Sequence, residues 1–182
     1  MDLVMETSRM PAVGETVLGS KFTTLPGGKG AMVACARLGA DVTMVGCAGN
    51  DSFGSELTAN LQREGVITVN VETVTDLATG IASITVENGE NSIIVVPGAN
   101  DALTPEKVRQ AEKVIQEADV VLLQLEIPLD AVAEAARISK HHHVPVILNP
   151  ATALSVTKFG AQGGMPSHEQ VQTFLQLKLR DI

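Results

Sequence analysis

The chain has 182 residues and a formal net charge of −8, with 45% hydrophobic, 19% charged and only 2% aromatic residues. That balance describes one globular domain with a buried core and excludes a disordered chain. The acidic charge and the lack of Trp and Tyr exclude a nucleic-acid binder, for want of both phosphate attraction and base-stacking platforms.

Cys35 and Cys47 have neither a CxxC spacing nor a partner cluster, and read as small buried hydrophobes in a reducing compartment. No basic-then-apolar leader opens the chain, and no apolar run approaches the roughly 18 residues that would span a membrane. The expected location is the cytoplasm, with no membrane partner.

The opening Met1-Asp2-Leu3-Val4-Met5 has apolar strand character but is short for a first strand. The strand is therefore expected to lack its preceding half, with Asp2 at its carboxyl end, where open α/β sheets place ligand groups. Between Gly14 and Pro26, Glu15 to Leu18 and Lys21 to Thr24 read as two short extended pieces around a Gly19-Ser20 turn, candidates for a small flap.

Leu25-Pro26-Gly27-Gly28-Lys29-Gly30-Ala31 then sets three glycines and a lysine directly before a helical run. Glycines let backbone N–H groups approach a ligand, and the helix start adds unpaired amides and partial positive charge. An oxygen-rich ligand suits such a turn, and so does a plain strand-to-helix connection that needs only flexible φ angles.

A helix from Ala31 to Leu38 ends at Gly39, and Val42 to Gly46 is a buried strand. Asp51 or Ser52 caps a helix to about Glu64, Gly65 stops it, and Thr68 to Val74 is the next strand. Ile81 to Val86, Asn88-Gly89 and Ser92 to Val96 form a hairpin, which does not belong inside a parallel sheet and reads as the second part of the flap.

Helix, strand and helix then alternate. Thr104 with Pro105 starts a helix to about Glu117, Val120 to Leu125 is a strand, Leu129 to Lys140 a helix, and Val144 to Leu148 a strand. The expected fold is α/β, a doubly wound sheet with a β flap built from about 14–26 and 79–97. Beyond it lie an apolar run from Ala151 to Val156, a glycine-rich stretch from Lys158 to Pro166 and an amphipathic helix from His168 to Lys178.

The motifs Pro11 with Gly14-Glu15-Thr16, Pro26-Gly27-Gly28-Lys29-Gly30-Ala31, Ala36-Arg37-Leu38-Gly39-Ala40, Gly46-Cys47-Ala48-Gly49-Asn50-Asp51-Ser52-Phe53-Gly54, Thr79-Gly80 and Pro97-Gly98-Ala99-Asn100 stand in one order. In that order the chain resembles the ribokinase/phosphofructokinase-B family of carbohydrate kinases. The resemblance implies ATP-dependent phosphorylation of the primary hydroxyl of D-ribose, with magnesium and potassium as cofactors. It implies that Asp2 accepts hydrogen bonds from sugar hydroxyls, that Gly28, Lys29 and Gly30 line the same pocket, and that Glu126 is a further sugar contact. It also implies a homodimer through the β flap, the family's lid.

The chain departs from the family in two places. After Gly30-Ala31 the family has Asn-Gln, whereas Met32-Val33-Ala34 follows here at once, a change that turns the next helical face by roughly 200° and removes a sugar-binding amide. Asn149-Pro150-Ala151 resembles a mid-chain strand end, yet Thr152 to Pro166 resembles the family's extreme carboxyl-terminal region. The Asn-x-x-Glu motif, the nucleotide-binding strands and the Thr-Gly-Ala-Gly-Asp loop with the base aspartate are missing between them.

Ser155, Lys158, Gly160 and Gly164 resemble carbonyl ligands of the monovalent-cation site, here half a site. Gly98-Ala99-Asn100-Asp101 is a local look-alike of the catalytic loop but matches a different segment. His141-His142-His143 invites a metal reading but fits a solvated helix terminus.

The expectation is a single, incomplete domain over 1–182: the sugar-binding half of a ribokinase-type enzyme, catalytically impaired. The alternatives are a non-catalytic sugar-binding or lid-dimerising module and a defective truncated gene product.

Overall fold

The computed structural model describes residues 1–27 and 30–149. By contacts the chain divides into two compact units, Met1–Ala102 and Leu103–Ile182.

The first unit holds strands β1 (Asp2–Thr7), β2 (Gly19–Leu25), β3 (Thr43–Gly49), β4 (Ile67–Val74), β5 (Ile81–Glu87) and β6 (Glu90–Val96), and helices α1 (Gly30–Arg37) and α2 (Ser52–Arg63). A short 3₁₀ helix, Gly98–Ala102, closes it. Four strands make one sheet in the order β2-β1-β5-β6, while β3 and β4 pair in parallel as a separate ladder.

The pieces expected to form the flap thus join the opening strand in one sheet. β1 is its central strand, antiparallel to β2 and parallel to β5. Asp2, expected at the carboxyl end of an opening strand, is instead the first residue of β1. The run that follows it pairs on both sides through Glu6, which commits the whole segment to the flap.

The predicted extended piece Glu15 to Leu18 is not a strand. Gly14 takes a left-handed φ of 79°, the Glu15 amide donates to the Ala12 carbonyl at 3.0 Å, and the Glu15 carboxylate pairs with Arg9. A turn that takes up the Glu15 amide internally removes that donor from any ladder. By contrast, the hairpin between β5 and β6 turns at Asn88-Gly89 with φ of 49° and 86°, the left-handed pair that a two-residue hairpin loop requires.

Helix α2 begins where the sequence places it. Asp51 is the N-cap, its Oδ1 accepting from the Gly54 amide at 2.8 Å, and the helix buries Leu61. Helix α1 buries none of its residues. Cys35, expected to be buried, therefore lies exposed on it, and Cys47 in β3 is half-buried: a small apolar residue is covered only where its element packs.

The second unit holds α3 (Pro105–Gln110), α4 (Glu112–Gln116), β7 (Val121–Gln124), α5 (Leu129–His141) and β8 (Val146–Asn149), with β7 and β8 parallel. The single helix expected from Thr104 to Glu117 is split at Ala111, where φ −93° and ψ 10° tighten the turn and its amide bonds to Val108. No glycine or proline inside the run announces this break. Leu103, Val108, Ala111 and Ile115, together with Ala131, Val132, Ala135 and Ile138 of α5, form the buried core of this unit. The spacings Val108–Ala111–Ile115 and Val132–Ala135–Ile138, three or four residues at each step, are the periodicity of one helical face.

A polar cluster backs this core. The Glu134 carboxylate, only 11% exposed, accepts from Arg137 Nη2 at 2.8 Å and Arg109 Nη1 at 3.0 Å. The Arg137 hydrogen bonds, ahead of those from Arg109, hold its pKa down to about 2. A folded-state pKa below the unfolded one makes a stabilising contribution that is complete above pH ~4.5 and is lost as pH falls toward 2. Glu134→Gln is expected to flatten the acid limb of stability over that window, costing about 1–2 kcal/mol at neutral pH after discounting for the exposed arginines. Urea midpoints from pH 7 to pH 3 check this, and an unchanged pH slope would refute it.

Candidate functional site

Asp2 lies at the start of β1, an inner strand of the four-stranded sheet, opposite Leu25 of β2 and Ala82 of β5. In-register neighbours share a sheet face, so Asp2 stands on the same face as Val4, Ala82, Ile84, Ile93 and Val95. A carboxylate set among aliphatic residues suits a ligand with hydroxyls on one side and C–H surface on another.

Gly27, two positions beyond Leu25, sits directly against this carboxylate: a Cβ built on it would overlap Asp2 Oδ1, Cγ and Oδ2. Only a glycine lets the backbone pass so close, so the turn delivers main chain to the carboxylate itself. The sequence names Gly28, Lys29 and Gly30 as lining the sugar pocket; among the described residues, the glycine set against Asp2 is Gly27. Gly28 and Lys29 lie outside the described residues. Gly30 opens α1 with no atom within 4 Å of its would-be Cβ.

Glu126 follows β7 in the second unit and is half-buried. Ser155, Lys158, Gly160 and Gly164 lie outside the described residues. Asp101 is an exposed residue of the 3₁₀ helix. His142 Nε2 stands 2.9 Å from Glu112 Oε1, a pairing that ties the end of α5 to α4.

A second cluster joins residues that the sequence lists separately. Asp51 Oδ1 accepts from the Thr79 hydroxyl at 2.6 Å as well as from the Gly54 amide, and Oδ2 accepts from the Thr79 amide at 2.8 Å. The Thr79 hydroxyl and then the Thr79 amide hold the Asp51 carboxyl below the ordinary aspartate range, against the opposing effect of burial. The Thr79-Gly80 motif was the available signal, but nothing in the spacing pairs it with Asp51.

Among the described residues, no group of three or more His, Cys, Asp or Glu converges as a metal-ligand set, and no helix is long and apolar enough to cross a membrane.

A family model for pfkB family carbohydrate kinases matches residues 1–161. The ribokinase of Bacillus subtilis is 48% identical over 155 residues, covering 84% of this chain and 53% of that protein. The ribokinase of Lactococcus lactis is 39% identical over 189 aligned residues, covering 100% of this chain and 63% of that protein. Among solved structures, Thermotoga maritima ribokinase superimposes with a TM-score of 0.77 at 31% identity, over 96% of this chain and 59% of that one. Arabidopsis thaliana ribokinase, in complex with ribose and ATP, does so with a TM-score of 0.73 at 31% identity, over 98% and 65%. The chain spans about half the length of most of the curated relatives it matches.

Proposed function

Because the chain belongs to the pfkB family of carbohydrate kinases, we propose that it carries the sugar-binding, lid-bearing half of a ribokinase-type phosphotransferase, with D-ribose as the sugar. The observation that carries this reading is the meeting of the Asp2 carboxylate and the Gly27 backbone on the flap sheet. Asp2 accepts hydrogen bonds from neighbouring sugar hydroxyls, and the aliphatic residues on its face cover the sugar's C–H side. On the family resemblance alone, Gly28, Lys29 and Gly30 are assigned to sugar binding, and Glu126 is assigned the role of a sugar contact. In the whole enzyme, ATP with magnesium supplies the phosphoryl group, and potassium is held by carbonyls of Ser155, Lys158, Gly160 and Gly164.

Phosphoryl transfer depends on positioned charge stabilisation and a base for the attacking hydroxyl. The present sequence has no Thr-Gly-Ala-Gly-Asp loop, so this stretch alone binds sugar without turning it over at an enzyme's rate. Titration calorimetry with ribose, alongside ATP consumption with ribose, magnesium and potassium, tests both parts. Heat at millimolar ribose with negligible turnover is expected. No heat removes the sugar site, and turnover near that of an intact relative removes the impairment.

A second reading, a dimer through the lid, is favoured by β6. All seven of its residues are exposed, Ile93 to Val96 make a continuous apolar run, and its outer edge is unpaired among the described residues. An open apolar edge strand is a template for pairing with a second copy. Sedimentation equilibrium is expected to show a dimer, and a monomer at all concentrations would exclude it. The contrary reading, a defective product, draws on Leu122, Val146 and Ile147, exposed on the short β7–β8 ladder. A cooperative thermal transition in soluble protein would count against it.

A further inference from the structure

The segment Ala78-Thr79-Gly80, which leads into β5, is gripped from two sides. On one side Thr79, 6% exposed, commits both its hydroxyl and its amide to the turn between β3 and α2. Its hydroxyl donates to Asp51 Oδ1 and accepts from the Gly49 amide at 3.0 Å, and its own amide donates to Asp51 Oδ2. On the other side, the Ala99 amide donates to the Ala78 carbonyl at 2.8 Å, and a Cβ on Gly80 would stand 2.5 Å from the Pro97 oxygen and 2.9 Å from Asn100 Nδ2. Both ends of the β5–β6 hairpin therefore converge on this segment.

As a helix N-cap, the Asp51 carboxylate needs to accept only one backbone amide, and the Gly54 amide is that donor. Asp51 takes two further hydrogen bonds, both from Thr79, which a cap does not require. The strand so held begins at Ile81, and its next residue, Ala82, is the register partner of Asp2.

We propose that Asp51, acting through Thr79, is a positioning residue that locks the base of the flap, and with it Asp2, onto the β3–α2 turn. Charge-assisted hydrogen bonds to one carboxylate are short and directional, so they fix the point from which β5, and then its partner β1, extends. The consequence for sugar binding rests on the role given to Asp2 above; the lock itself does not.

Hydrogen exchange read by mass spectrometry on the full chain tests the lock. Thr79→Val removes the hydroxyl at nearly constant shape, and Asp51→Ser keeps a helix cap but is too short to reach Thr79. Both are expected to speed exchange about tenfold or more in peptides covering 79–86 and 2–7 while leaving 52–63 unchanged. Thr79→Ser is expected to exchange as the wild type does. Unchanged exchange over 79–86, or equal acceleration over 52–63, would overturn the proposal. If a variant does not fold, Asp51→Asn, which replaces an acceptor facing the Thr79 amide with a donor, is read by the same two peptides. Ribose calorimetry separates the two claims. Weakened binding in Thr79→Val, restored in Thr79→Ser, supports the positioning of Asp2. A wild type that binds no ribose removes the sugar assignment while exchange still decides the lock.

Discussion

Gly54→Ala is expected to destabilise the Met1–Ala102 unit by about 3 kcal/mol or more, enough to unfold a marginal domain. In an ordinary helix the same change stabilises by up to about 1 kcal/mol, because alanine is the better helix former. Here the added methyl would overlap the Gly49 carbonyl oxygen and stand 2.9 Å from Thr79 Oγ1. The first of these is main chain and cannot swing away, so relief requires the β3–α2 turn to open and the Asp51–Thr79 hydrogen bonds to stretch. Urea denaturation followed by circular dichroism reads the loss. A midpoint at or above that of the wild type would show that the turn yields cheaply and that the packing around Thr79 is looser than the distances imply. Gly30→Ala is the matched control: it also adds a methyl within a helix, but into open space.

Asp2→Ala is expected to weaken ribose binding by roughly ten- to a hundredfold, the range for removing a charged acceptor of hydrogen bonds. Gly27→Ala should reproduce much of that loss by a different route. Its methyl would occupy the place of the Asp2 carboxyl group, which is the end of a side chain and can rotate aside. The cost therefore falls on ligand affinity more than on stability, the reverse of the expectation for Gly54→Ala. Calorimetry and a thermal melt on the same samples separate the two. Full affinity in either variant would remove Asp2 from the sugar site, and an unfolded Gly27→Ala would show that Asp2 is held in place by packing with no freedom to turn.

Much of the local architecture was legible from residue chemistry. Asp51 before Ser52, Asn88-Gly89 between two β-branched runs, and Gly39 and Gly65 after their helices each solve a backbone problem that few other residues solve, so the elements they bound fall close to where the sequence puts them. The helical break at Ala111 was not legible, since alanine carries no such preference. Nor was the membership of β1 in the flap: an apolar run shows strand character but not its partners. The candidate site divides in the same way. Asp2 and the glycine turn stand out by type and spacing, but which glycine meets the carboxylate depends on how β2 ends relative to β1.

By itself, the sequence determined the α/β class, the flap hairpin, the helix boundaries set by caps and glycines, and a motif order shared with carbohydrate kinases. These follow from short-range chemistry, in which a residue and its near neighbours settle the backbone between them. The tertiary structure alone decided that Gly27 meets Asp2, that Thr79 closes on Asp51 from 28 positions further along the chain, and that Cys35 is left uncovered. Those contacts join residues far apart in the chain, and their geometry is fixed by strand register and helix packing, which periodicity and composition do not encode.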